Sequence, residues 1–196
     1  MLFVNQHKTN THQMIQLFLG ISLLFQSCFT PETKNSIVHE STANESIHAF
    51  SFQGLDGTEK SFSEFAGKKI LVVNSASKCG YTKQYADLEQ LYQAKKDRLV
   101  IVAFPSDSFL QEYKETEKIQ ELCQKYEVSF VVASPLEVRG RNIHPIFDWL
   151  ISQSNPDFTG PVEWNFEKFL IDENGKLMHR YRSKISPLDH SISSLI

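Results

Sequence analysis

Cys79 is the residue in this chain best placed to do chemistry. It stands in the run Val73-Asn74-Ser75-Ala76-Ser77-Lys78-Cys79-Gly80-Tyr81-Thr82. The preceding stretch, Lys69 to Asn74, is almost continuously apolar, the composition of a strand buried on both faces. Open α/β sheets build their sites in the loops at the carboxyl ends of parallel strands. A cysteine there, just ahead of a helix, sees the positive end of the helix dipole, and Lys78 adds a neighbouring cation. Both favour a thiolate, which is the nucleophilic form, so the setting suits redox chemistry. Gly80 leaves room for close approach to the sulfur. The simpler reading of a lone cysteine is a small buried core residue.

Two further cysteines bear on that choice. Cys123 falls in the segment Glu115 to Tyr126, where Ile119 and Leu122 share its side, so it reads either as an apolar-face residue or as a redox partner. Cys28 lies near the N-terminus. With three cysteines in all, at least one does something other than pair within the chain. Three are too few for a disulfide-dense scaffold, and no CxxC pair suggests a zinc ribbon. The seven histidines show no HxxxH spacing, so they form no metal constellation. With 20 basic against 23 acidic residues and a net charge of −3, the chain is not a nucleic-acid binder that relies on a broad basic surface.

The elements that must position these residues follow from hydrophobic periodicity. Phe50, Phe52 and Leu55 alternate with polar residues ahead of Asp56-Gly57, a strand entering a hairpin turn. Ser61 to Phe65 reads as a short helix or turn ending at Gly67. Lys69–Asn74 and Leu99–Phe104 are buried strands, separated by a helix from Tyr85 to Lys96. Two such strands around one helix imply a parallel βαβ unit. Glu115 to Tyr126 is a helix, Phe130 to Val132 is extended, and His144 to Ile151 is an amphipathic helix. Phe166 to Asp172 and Leu177 to Tyr181 are strands joined by the turn Glu173-Asn174-Gly175-Lys176. The expected fold is α/β: a central mixed β-sheet flanked by helices, with an N-terminal β-hairpin.

The first residues have a different character. Ile15 to Phe25 is apolar apart from Gln16, Gly20 and Ser22, and the first 27 residues hold Lys8 but no acid. The stretch is too short to span a bilayer and suits the core of a secretory signal. Leu23-Leu24-Phe25-Gln26-Ser27-Cys28 resembles a bacterial lipoprotein cleavage box, which implies cleavage before Cys28 and a diacylglycerol on its thiol. Residues 29–46 are polar and aperiodic, a flexible tether. The expected organisation is residues 1–27 as signal peptide, 28–46 as tether and 47–196 as domain. The chain would be exported to the periplasm or cell surface and lipid-anchored to a bacterial membrane.

The segment Asn74-Ser75-Ala76-Ser77-Lys78-Cys79-Gly80-Tyr81-Thr82 closely resembles the active-site segment of the glutathione peroxidase family in its cysteine form. Phe104-Pro105-Ser106-Asp107-Ser108-Phe109, followed by Gln111-Glu112, is similar to the family's second segment. Trp164-Asn165-Phe166-Glu167-Lys168-Phe169-Leu170 is similar to its third. The resemblance runs from about Ile47 to the C-terminus. It implies a thioredoxin-like fold, with Cys79 as the cysteine that attacks a hydroperoxide and becomes a sulfenic acid. Trp164 and Asn165 match the family's Trp and Asn, whose N–H groups can hydrogen-bond a thiolate. The family's Gln position holds Ser108, whose hydroxyl reaches less far. A water, Asp107 or Gln111 is left to fill the gap, and an ionised Asp107 would oppose a thiolate.

The resemblance also gives Cys123 a role. Members recycled by thioredoxin carry a resolving cysteine in a segment like Glu121-Leu122-Cys123-Gln124-Lys125-Tyr126. Cys123 would attack the Cys79 sulfenic acid and form a disulfide. The helix would have to unwind locally for the two to meet. Hydrogen peroxide and organic or lipid hydroperoxides are the implied substrates. A thioredoxin-like protein or glutathione is the implied reductant, with no metal or other cofactor, no nucleic acid and a monomeric state. Two alternatives stay open: a thioredoxin-fold thiol–disulfide oxidoreductase or peroxide sensor, and a binding protein that kept the fold.

Overall fold

Two apolar runs build the centre of the sheet because both of their faces are covered. In the computed structural model, which describes residues 46–196, β3 (Lys69–Ser75) and β4 (Leu99–Pro105) are parallel neighbours, paired from Lys69↔Leu99 to Ser75↔Pro105. Ile70 and Val72 of β3 join one core cluster and Leu71 and Val73 the other. That two-sided burial is why the run does not alternate with polar residues. Residues 1–27, Cys28 and almost all of the expected tether lie outside the described residues.

The five-stranded sheet has the order β5-β4-β3-β6-β7. The short strand β5 (Val131–Val132) runs parallel to β4. β6 (Lys168–Ile171) and β7 (Leu177–Tyr181) are antiparallel, so the sheet is mixed as expected. The hairpin of β1 (Ser51–Gln53) and β2 (Glu59–Ser61) lies outside it. Gly54 bridges to Ala133, and the Leu55 N–H donates to the Val132 carbonyl at 2.9 Å. The hairpin is thereby stitched to the β5 edge.

Helix α1 (Gln84–Lys95) covers one face through Tyr85, Leu88 and Leu91. Helix α3 (Pro145–Ser152) covers the other through Ile146, Phe147, Trp149 and Leu150. Edge-on contacts link Phe52, Phe104, Phe147 and Phe169, with ring centres 5.2, 5.5 and 6.0 Å apart along the chain. Such pairs contribute about 0.5–1.5 kcal/mol each beyond their burial. Helix α2 (Thr116–Lys125) is more lightly held, with Ile119 as its one wholly buried residue. A last short helix, α4 (His190–Ser193), packs Ile192 against the α1 side; sequence periodicity did not mark it. Among the described residues, no helix is long and apolar enough to cross a membrane.

Candidate active site

The loop after β3 wraps around Thr82. The Thr82 hydroxyl accepts the Cys79 N–H at 3.1 Å and lies 2.8 Å from both the Ala76 and Cys79 carbonyls. The Thr82 N–H donates back to the Cys79 carbonyl at 3.1 Å. These contacts hold Cys79 in a tight turn five residues ahead of α1, with its side chain buried. The Tyr81 N–H points at the sulfur, 3.4 Å from Sγ. The expected cation takes another course: Lys78 Nζ sits over the Tyr113 ring, 4.7 Å from its centre. A Cβ at Gly80 would meet nothing within 4 Å, so this glycine borders open space.

Ser108 is not part of this cluster. Its hydroxyl donates to Glu137 Oε2 at 2.6 Å and accepts the Val138 N–H at 3.0 Å, which ties it to the loop before α3. A carboxylate and a backbone donor occupy the hydroxyl, and a charge-assisted bond of this kind is the stronger one. Asp107 faces inward along its own loop, its Oδ1 accepting the Glu112 N–H at 3.2 Å. The amide that does approach the site is Gln111. Its carbonyl accepts the Lys78 N–H at 2.9 Å, and its Oε1 accepts from Asn165 Nδ2 at 3.0 Å.

Asn165 is fully buried, and its Oδ1 has no hydrogen-bond partner. The turn that carries it is clamped to β3 by Asn74. Asn74 Nδ2 donates to the Trp164 carbonyl at 3.0 Å, and the Asn74 carbonyl accepts the Phe166 N–H at 2.6 Å. Phe166 takes a left-handed backbone with φ of 67°. An aromatic residue pays a steric cost there, and the surrounding bonds must impose it. One of them is Lys168 Nζ, which is buried and donates to the Phe166 carbonyl at 2.8 Å. Burial lowers the Lys168 pKa to about 7, against the opposing pull of Asp87 and Glu167.

Trp164 is 41% exposed, with its ring 5.2 Å from that of Phe109. Trp164 and Tyr81 share the wall of a groove of about 400 Å³ with Arg182 and Lys184. Among the described residues, the Tyr81 N–H is the only hydrogen-bond donor on the sulfur; the Trp164 and Asn165 side chains do not donate to it. Behind the turn, Glu167 bonds Arg180 at 2.9 Å and Arg182 at 2.7 Å, a buried charge network. Arg180 also donates to the Gly160 and Pro161 carbonyls, which fixes the approach to Trp164.

Cys123 is on α2 and half-buried, and both Cys79 and Cys123 are free thiols. Burial, with the charge of Glu112 adding to it, pushes the Cys123 thiol up to about 11. Its helix ends in a Schellman motif. The Val128 N–H donates to the Cys123 carbonyl at 2.9 Å and the Glu127 N–H to the Gln124 carbonyl at 3.0 Å. The left-handed position of that motif is normally glycine, yet here Glu127 holds it at φ 53°. Cys123 also lines a cavity of about 610 Å³ between α2 and the β1–β2 hairpin, with Asp56 and Lys60 at its rim. Tyr81, Thr82, Asn74 and Glu112 do more here than sequence reasoning assigned them. The available signal was polar residues within or beside a buried strand. Among the described residues, no group of His, Cys, Asp or Glu side chains is set to hold a metal ion.

A five-stranded mixed sheet with parallel β3 and β4 at its centre and helices on both faces defines a protein of thioredoxin-like fold. The chain is similar in fold to a thioredoxin family thiol:disulfide interchange protein from Chlorobium tepidum. The TM-score is 0.58 at 15% identity, over 74% of this chain and 91% of that one. The crystal structure of Trgpx in apo form superposes with TM-score 0.63 at 35% identity, covering 78% of this chain and 94% of that one. Residues 47–151 match the model of the family described as glutathione peroxidase. A glutathione peroxidase homolog, BsaA of Halalkalibacterium halodurans, is 41% identical over 73% of this chain and 93% of its own length. The hydroperoxy fatty acid reductase of a Synechocystis species is 39% identical over 74% and 91%. The chain belongs to the glutathione peroxidase family, and it is an oxidoreductase of the peroxidase class.

Proposed function

We propose that Cys79 is the nucleophile of a thiol peroxidase. Its thiolate attacks the terminal oxygen of a hydroperoxide. The O–O bond breaks, the alkoxide or hydroxide leaves as alcohol or water after taking a proton, and Cys79 becomes a sulfenic acid. The observation that carries this reading is the Cys79 sulfur at the end of β3, held by the Tyr81 N–H. The Gln111 loop is anchored on Lys78, next to Cys79, and bonded to Asn165. The Trp164 indole and the amides of Asn165 and Gln111 are the donors available to the peroxide oxygens as they gain charge. Gln111, through this contact, takes the part expected of Ser108.

Cys123 then attacks the sulfenic sulfur, releasing water and leaving a Cys79–Cys123 disulfide. The exposed, lightly anchored helix α2 supports the local unwinding this needs. A thioredoxin-like protein or glutathione reduces the disulfide by exchange. The relatives' names support hydroperoxides in general as substrates, fatty-acid hydroperoxides among them. The N-terminal pattern extends the reading to an exported monomer lipidated on Cys28 and tethered to a membrane that supplies lipid peroxides. Multiple turnover of hydrogen peroxide with a thioredoxin system, lost in Cys79→Ser, tests the central role. Turnover retained in that variant rejects it. Membrane-fraction mass spectrometry tests the anchor; an uncleaved chain with unmodified Cys28 rejects it.

A further inference from the structure

Resolution poses a proton problem. The Cys123 thiol, with its pKa pushed up to about 11, must shed a proton before its sulfur can attack. The hydroxide leaving Cys79 must gain one. One buried carboxyl faces both cysteine segments and keeps one of its oxygens off the backbone. Glu112 is 2% exposed. Its Oε1 accepts the Ser77 N–H at 3.2 Å and the Tyr113 N–H at 2.7 Å. Ser77 is two residues before Cys79, and Tyr113 leads into α2. Its Oε2 is buried without a hydrogen-bond partner, and the Ser77 side chain favours the ionised carboxyl; an unpartnered buried oxygen is costly unless it serves another purpose.

We propose that Glu112 is the general base of the resolving step, its Oε2 taking the proton of the Cys123 thiol and passing it to the departing hydroxide. The balance is internal: Cys79–S–OH and Cys123–S–H give Cys79–S–S–Cys123 and water. The S–S bond forms as the S–O bond breaks, and no other reactant is needed. The inference rests on Cys123 as the resolving thiol. Glu112 precedes α2 and is fastened to the Cys79 loop through Ser77. It therefore stays with the sulfenic acid while the helix opens and delivers the thiol to it. The titratable groups facing it are Lys78 from the Cys79 loop, Tyr85 from α1 and Cys123 from α2. Asp107 and Tyr113 flank it on its own segment. Burial holds the carboxyl above its usual range, while Ser77, Tyr113 and Lys78 keep it ionisable. Burial, with the Glu112 charge adding to it, keeps Cys123 in the thiol form until the proton can be used.

The test is the rate of disulfide formation after stoichiometric oxidation of the reduced protein, read by rapid quench and intact mass across about pH 5.5 to 8.5. In the native sequence the rate should level off once Glu112 is ionised. In Glu112→Gln, whose amide oxygen keeps both backbone contacts, it should be at least about tenfold slower at neutral pH and climb about tenfold per pH unit. A native rate that itself climbs tenfold per unit to pH 8.5 overturns the role without recourse to any variant. So does Glu112→Gln resolving within twofold of native. If the native protein yields no Cys79–Cys123 disulfide at all, the resolving role of Cys123 is what has failed, and this inference falls with it.

Discussion

A buried lysine gives this fold a pH dependence whose sign is fixed by geometry. Lys168 is wholly buried on β6, donating to the Phe166 carbonyl at 2.8 Å and the Ser183 carbonyl at 3.4 Å. Its folded pKa is about 7, below its ordinary value of 10.5, because burial outweighs Asp87 and Glu167. Between those values the unfolded chain binds a proton that the folded one has released. Stability therefore rises with pH across that window, by about 1.4 kcal/mol per unit for a single group. Below about pH 7 both states hold the proton and the term is flat. Above pH 9 the raised thiol of Cys123 and the raised phenol of Tyr181 act in the opposite direction. The clean interval is thus about pH 7 to 9, with an expected gain of roughly 2–3 kcal/mol. Urea unfolding of the reduced protein at half-unit steps measures it, with Lys168→Met as the control that should flatten the slope. A native slope of zero or below across the interval, or an unchanged slope in Lys168→Met, refutes the reasoning.

Other consequences are as direct. Glu127→Gly relieves the left-handed glutamate at the end of α2, so it should stabilise the reduced protein by about 0.5–1 kcal/mol and slow disulfide formation about two- to fivefold; equal rates would separate helix opening from resolution. Arg180→Met leaves Glu167 short of its buried partner and frees the Gly160 and Pro161 carbonyls, so chemical denaturation should show a loss of about 3–5 kcal/mol. Asn165→Ala removes the contact to Gln111, so stopped-flow oxidation of Cys79 should slow by about a hundredfold while the fold persists. Ser108→Ala should leave that rate within about twofold, since its hydroxyl serves Glu137 and Val138.

The sheet was legible because its central strands are apolar on both faces; runs such as Ile70 to Val73 admit few other readings. The hairpin and the Asn174-Gly175 turn were legible from turn chemistry. Phe166 was placed in β6 by its apolar side chain. The strand starts at Lys168 because the Asn74 clamp and the Lys168 ammonium impose a positive φ on Phe166. Asn74 is distant in sequence, and no local pattern announces that Phe166 will meet it. The Ser108 hydroxyl points elsewhere for a similar reason: Glu137, 29 positions away, captures it. Gln111 was left open as a substitute, and only the tertiary meeting with Asn165 singles it out. Cys79 stands out in the sequence by its place after a buried strand, whereas the turn of Lys78 onto Tyr113 depends on a loop from elsewhere in the chain.

The central claim is that Cys79 and Cys123 are the two halves of one peroxide-reducing couple. Intact mass with peptide mapping after one equivalent of hydrogen peroxide tests it most directly, on the reduced native protein and on Cys123→Ser. The native protein should become lighter by two hydrogens, with a Cys79–Cys123 linkage. The variant should become heavier by one oxygen, carried on Cys79. A native protein that keeps both thiols, or a variant that shows no oxygen on Cys79, would contradict the account.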